Sequence, residues 1–279
     1  MADWTRMLKF RDWGFLAGLS AALLSVCGSV PASGAQEAVR PAWCPVSSVD
    51  RGPVSPIQYR KLAEKLQQRN PIRLVAIGSS STEGSDLADR QQAYPLQLER
   101  RLNTLFGAGS FVVMNKGRGG ETMPETIARF ESDVEGESPD LVIWQLGVND
   151  VVRLQDLAVS ASNVESGLRK LDLIGAPVIL MDMQFAPKVV QSAALQPMRT
   201  LLGEASARRD AVLWSRFDLM RGIVDKGDAA ITDLIKADEL HMTPAMHACT
   251  GMVLAEAIAA NIPQRVGQDL ASAQPAAPR

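Results

Sequence analysis

Four short blocks in this sequence bring together residue types that can do acyl chemistry. Gly78-Ser79-Ser80-Ser81-Thr82-Glu83-Gly84 offers hydroxyls in a turn of small residues, where flanking backbone N–H groups can point at a ligand. Asn115-Lys116-Gly117-Arg118-Gly119-Gly120-Glu121-Thr122 and Gly147-Val148-Asn149-Asp150 add further N–H donors and side-chain amides. Asp238-Glu239-Leu240-His241 sets a carboxylate three residues before an imidazole. A serine hydroxyl attacks an acyl carbon when an imidazole removes its proton, and the imidazole needs a carboxylate to fix its tautomer and stabilise its charged form. Singly, such blocks are commonplace, since Gly/Ser turns follow many strands and Asp-x-x-His is more often a surface pair. Their order and their places in the chain carry the signal.

The first three blocks each follow a short apolar run. Such runs occupy residues 74–77, 111–114, 141–144, 177–181 and 211–214. They are strand-sized, apolar throughout and rich in β-branched residues, as expected of strands buried on both faces of a parallel sheet. Amphipathic stretches at 94–105, 124–134, 159–173, 190–208 and 243–260 alternate with them, and a further helix is expected near 57–69. Tyr94-Pro95 marks a helix start with Pro near its first position. The alternation predicts right-handed βαβ units and a three-layer α/β/α sandwich around a five-stranded parallel sheet of flavodoxin-like type. Ligands in such sheets sit at the carboxyl ends of the strands, where the blocks fall. No shift of composition interrupts this region, so residues 72–263 are expected to form one domain. A Pro-, Ser- and Gly-rich lead-in with its helix spans 36–71, and a tail rich in Ala, Gln and Pro, expected to be disordered, spans 264–279.

Composition excludes several classes. With 29 Lys and Arg against 31 Asp and Glu the net charge is −2, so the field that attracts nucleic acid or anionic lipid is missing. The chain has only two histidines, six residues apart, which gives no zinc pattern, and no metal is expected. Gly78 to Gly84 lacks the Gly-Lys-Ser/Thr ending of a phosphate loop, and no cofactor is expected. Lys116 and Arg118 are expected to face water, and the eleven methionines to fill the core. Asp182, Gln184 and Pro187 follow the fourth run, at the ligand-facing end of the sheet, with no role assigned.

Taken together the blocks resemble those of the SGNH (GDSL-type) serine hydrolases over roughly residues 73–259. The family's Gly-Asp-Ser-x-Thr-x-Gly block matches Gly78 to Gly84 and implies that Ser80 is the nucleophile. Its Asn-x-Gly-x-x-Gly block matches Asn115 to Gly120, and its Gly-x-Asn-Asp block matches Gly147 to Asp150. These imply an oxyanion hole formed by the backbone N–H groups of Ser80 and Gly120 and the side chain of Asn149. The Asp-x-x-His match implies Asp238 as orienting acid and His241 as general base. One departure is visible: Ser79 stands where the family usually has Asp, a position outside the triad. His247 lies six residues past His241 and is expected to be a packed or surface residue.

The N-terminus is expected to be a signal peptide. Basic Arg6, Lys9 and Arg11 precede an apolar stretch at 13–26, and Ser33-Gly34-Ala35 supplies a small-x-small site, so cleavage is expected after Ala35. An uncleaved anchor is the alternative, disfavoured by Gly14, Gly18, Gly28 and Pro31. The mature chain is then secreted or periplasmic, without a stable membrane span, and keeps Cys44 and Cys249, an even pair expected to be bridged in an oxidising compartment. The expected function is an exported esterase that cleaves carboxylic esters, acyl or acetyl, borne by a small molecule or a glycan, through an acyl-enzyme. An O-acyltransferase using a glycan or lipid hydroxyl, or a non-catalytic binding module on the same fold, are the alternatives.

Overall fold

The computed structural model describes residues 40–46, 56–85, 87–209 and 211–263. The expected signal peptide at 1–35 and tail at 264–279 lie outside the described residues. The five apolar runs form five strands, β1 (Ile72–Gly78), β2 (Phe111–Gly117), β3 (Leu141–Gln145), β4 (Val178–Met181) and β5 (Val212–Trp214). They pair in parallel in the order β2-β1-β3-β4-β5. Twelve helices are described: α1 (Pro56–Gln67), α2 (Ser80–Glu83), α3 (Tyr94–Phe106), α4 (Met123–Ile127), α5 (Phe130–Asp133), α6 (Val148–Val152), α7 (Leu157–Ile174), α8 (Pro187–Val190), α9 (Leu195–Arg208), α10 (Arg216–Asp225), α11 (Ile231–Leu234) and α12 (Pro244–Asn261).

Successive strand residues point to opposite faces, and both faces are apolar. Val75, Ile77, Val142, Trp144, Val178 and Leu180 pack against Val164 and Leu168 of α7 and Met198 and Leu202 of α9. Leu74, Ala76, Leu141, Ile143, Ile179 and Met181 pack against Leu62 of α1, Leu98 and Leu102 of α3, and Leu254 and Ile258 of α12. The three central strands therefore match the expected two-faced burial. The outer two do not: β5 is only half-buried and Val112 of β2 is exposed, because each has a neighbour on one side only. Strand β1 pairs with both β2 and β3, so the chain direction across the sheet reverses beside β1. The carboxyl ends of β1 and β3 adjoin there, at the crevice where ligands bind in such sheets.

Three helical expectations are corrected. The stretch 124–134 is two short helices, α4 and α5, broken at Arg129, whose buried guanidinium reaches in to the carbonyls of Gly78 and Lys116. The stretch 190–208 is broken between α8, which ends at Val190, and α9, which starts at Leu195, because the Ser192 hydroxyl donates to Val151 O and accepts the Ala194 N–H, drawing the backbone out of a helix. Helices α10 and α11, between β5 and the Asp-x-x-His block, were not anticipated; α10 starts at a Ser215 cap whose hydroxyl accepts the Asp218 N–H. The expected bridge is present. Cys44 and Cys249 are joined with their Cα atoms 5.6 Å apart, fastening the lead-in segment to α12.

Candidate active site

The turn after β1 buries every hydroxyl but one. Ser79, Ser81 and Thr82 are 4%, 3% and 0% exposed, whereas Ser80, first residue of the one-turn α2, is half-buried at the surface. The N–H groups of Thr82 and Glu83 both donate to Ser79 O, and Gly84 N–H donates to Ser80 O. As the first residue of a helix, Ser80 carries an N–H with no intrahelical acceptor. Beneath the turn, Gln145 at the end of β3 presents Oε1 to Ser79 N–H (2.9 Å), Ser79 Oγ (3.1 Å) and Thr82 Oγ1 (3.1 Å). The Tyr94 hydroxyl lies 3.2 Å from Thr82 Oγ1, and burial pushes its pKa up to about 12 against the opposing effects of Thr82 and Arg216. Tyr94 thus opens α3, as expected, and also braces the turn. On the other flank, Asn115 Nδ2 donates to Thr82 O. Gly117 passes so close that a Cβ there would sit 2.0 Å from Glu83 N, which is why this position takes glycine.

Ser80 Oγ lies 3.0 Å from His241 Nε2, and His241 Nδ1 lies 2.6 Å from Asp238 Oδ2. The other carboxylate oxygen, Oδ1, accepts the N–H groups of Leu240 (3.0 Å) and His241 (2.9 Å). Partial burial raises the Asp238 pKa, but these backbone donors and the imidazole outweigh it and hold the carboxyl at about 2. Glu239, in the left-handed region at φ 62°, turns the chain between acid and imidazole. His247 takes the packed alternative: it is fully buried on α12, and its Nδ1 accepts the Tyr94 N–H, 153 residues away in the chain.

The loop after β2 runs beside the turn that carries Ser80, with the Gly119 N–H donating to Glu83 Oε2 at 2.7 Å. Gly120 has φ 79°, a conformation that favours glycine, and its carbonyl accepts from Arg153 Nη2 at 2.8 Å. Asn149, in α6, donates one amide proton to Glu121 O at 2.8 Å and has a second to offer. Neighbouring Asp150 accepts the Met123 N–H, and burial shifts its carboxyl upward. The Glu121 carboxylate is held by buried Arg129, so α6, the Arg153 that follows it and Arg129 together hold residues 120–123. Lys116 and Arg118 do not simply face water as expected. Lys116 pairs with Glu137 at 2.6 Å and Arg118 with Asp133 at 3.2 Å.

Of the five residues singled out from the sequence, the structure joins Ser80, His241 and Asp238 in one line of contacts, while Gly120 lies in the loop after β2, held by Arg153, and Asn149 lies in α6, held to Glu121 O. Sequence reasoning missed Gln145, Arg129 and Arg153. Gln145 alone left a trace, as a polar residue closing an apolar strand.

A model of the Non-GDSL lipase-like family matches residues 53–264. The chain belongs to that family. The family's name suits Ser79, the residue that departs from the GDSL-type block. An acetylxylan esterase of Geobacillus stearothermophilus is 33% identical over 98 residues, which cover 33% of this chain and 45% of that protein. The fold is shared with a two-domain esterase active on acetylated mannans, at TM-score 0.65 and 20% identity over 78% of this chain and 57% of that one. It is shared also with TesA, at TM-score 0.58 and 24% identity over 68% of this chain and 99% of that one. This member of the Non-GDSL lipase-like family thus spans under half the length of the matched acetylxylan esterase and 57% of the two-domain enzyme.

Proposed function

We propose that the protein is an exported serine esterase that hydrolyses carboxylic esters, acetyl groups on a glycan foremost, through an acyl-enzyme on Ser80. The observation that carries this reading is the unbroken contact from Ser80 Oγ to His241 Nε2 and from His241 Nδ1 to Asp238, at 3.0 and 2.6 Å. Ser80 Oγ attacks the ester carbonyl carbon while His241 Nε2 takes its proton, and Asp238, ionised at any physiological pH, steadies the imidazolium. The negative oxygen of the tetrahedral intermediate is held by the N–H groups of Ser80 and Gly120 and by the Asn149 amide, each such donor contributing a factor of about 10²–10³. Collapse expels the alcohol, which takes the proton from His241. Water, deprotonated by the same imidazole, then releases the acid and restores Ser80.

The acetyl preference draws on the two similar esterases that act on acetylated glycans. Export draws on the apolar N-terminal stretch and on the Cys44–Cys249 bridge, a bond that persists in oxidising compartments. A panel of esters from acetyl to long acyl, run in ¹⁸O-labelled water with a glycan acceptor present, tests the reading. Labelled acid, released fastest from acetyl esters, is expected. Acyl groups delivered to the glycan without label would mean transfer instead, and no turnover of any ester would contradict an enzyme.

A further inference from the structure

Three successive carbonyls in the turn that carries His241 are each held by a donor from elsewhere in the chain. Glu239 O accepts Lys188 N–H at 3.1 Å, Leu240 O accepts Gln184 Nε2 at 2.9 Å, and His241 O accepts Lys236 N–H at 2.8 Å. Two of these donors belong to the segment after β4, the stretch to which sequence alone assigned no role. Gln184 is 1% exposed, and its other amide atom, Oε1, accepts from Arg216 Nη2 at 2.8 Å. A guanidinium only donates and a carbonyl only accepts, so the amide has one possible orientation and its Nε2 must face Leu240.

Arg216 is itself immobilised. It is fully buried, its Nη2 also donates to Asp182 O at 3.0 Å, and its Nη1 lies 3.9 Å from the sulfur of Met242, the residue next to His241. Asp182 secures the start of α10, and hence Arg216, by accepting Phe217 N–H at 3.0 Å and the Ser215 hydroxyl at 2.8 Å. A chain of fixed polar contacts therefore runs from Asp182 through Arg216 and Gln184 to the peptide joining Leu240 and His241.

We propose that Gln184, locked by Arg216, is a positioning residue for His241, setting the imidazole within reach of Ser80 through the Leu240 carbonyl. The proposal rests on the reading of His241 as the base. Displacing a reacting group by about 1 Å costs about 10²-fold in rate. Removing the Leu240 contact should therefore lower kcat without touching KM, because Gln184 is 1% exposed and both ends of its amide are taken by protein groups.

Gln184→Glu makes the decisive variant. It keeps an acceptor for Arg216, so the buried charge stays paired, but turns a second acceptor toward Leu240 O. The expected result is a folded protein whose kcat on an acetyl ester, and whose rate of inactivation by a fluorophosphonate, fall about 10- to 100-fold at unchanged KM, with the downfield proton NMR signal of His241 Nδ1–H broadened or lost. Gln184→Met, which drops both contacts, is expected to show the same kinetic loss and a lower melting temperature. Wild-type kinetics and an unchanged Nδ1–H signal in both variants, measured well below their melting temperatures, would overturn the proposal and leave Gln184 a purely structural partner of Arg216. If the wild type itself does not react at Ser80, the reading of the site fails separately. The NMR signal, which needs no substrate, still decides the positioning.

Discussion

Gln145 Oε1 accepts both the backbone N–H and the hydroxyl of Ser79, so a buried amide oxygen lies against the residue that replaces the acid of the GDSL-type block. Ser79→Asp would set a carboxylate against that oxygen. Relief requires the amide to flip, which turns Nε2 toward the Ser79 N–H and strands a donor. We expect Ser79→Asp to lose about 1–3 kcal/mol, the usual cost of an unsatisfied buried polar group, and Ser79→Ala to lose less. Urea unfolding of the two variants checks this; an aspartate variant as stable as the wild type would show that the turn does not depend on the Ser79–Gln145 pair.

The two histidines should separate cleanly. His241→Ala should lower ester turnover by about 10⁴–10⁶ and should not add to the loss from Ser80→Ala, because the two act as one unit. His247, buried between α12 and the start of α3, should behave oppositely: His247→Ala keeps most activity and loses about 1–3 kcal/mol of stability. Equal kinetic losses at both positions would contradict the assignment of roles.

Acid stability should report on Asp238. Its carboxyl titrates near 2 in the fold and near 4 when unfolded, so its contribution to stability is complete above pH 4 and is lost as pH falls toward 2. Melting temperature should therefore decline across that window, and Asp238→Asn should flatten this part of the decline. A variant with the wild-type slope between pH 4 and pH 2 would show that the turn around Asp238 does not hold the carboxylate as described.

The bridge between Cys44 and Cys249 closes a span of 205 residues, for which chain entropy alone predicts up to about 5 kcal/mol. Cys249→Ala should lower the melting temperature markedly, and a cross-linked peptide containing Cys44 and Cys249 should appear in non-reducing digests of the wild type. Two free thiols in the unfolded, unreduced protein would refute the pairing.

The strands and the Ser80, Asp238 and His241 contacts were legible because the signals of these residues are local. An apolar run of four or five residues declares a buried strand, and glycine, serine and asparagine at fixed offsets declare its turn. Gln145, Arg129, Arg216 and Gln184 were not legible, because each acts across 30 residues or more, on carbonyls or on side chains that no spacing in the sequence reveals. The break in the helix expected at 190–208 escaped for the same reason, since it depends on where Ser192 finds Val151 O. Lys116 and Arg118 look like solvated charges until Glu137 and Asp133 are brought beside them.

The central claim is that Ser80 is the attacking group, and labelling with a fluorophosphonate followed by peptide mapping tests it most directly. The hydroxyl of Ser80 is near the surface and 3.0 Å from an imidazole nitrogen, whereas Ser79 and Ser81 are buried within the turn. The adduct is expected on Ser80 alone, at one equivalent per chain, with ester turnover falling in step and with no adduct in the Ser80→Ala variant. An adduct on Ser79 or Ser81, or full turnover in a chain labelled at Ser80, would contradict the account.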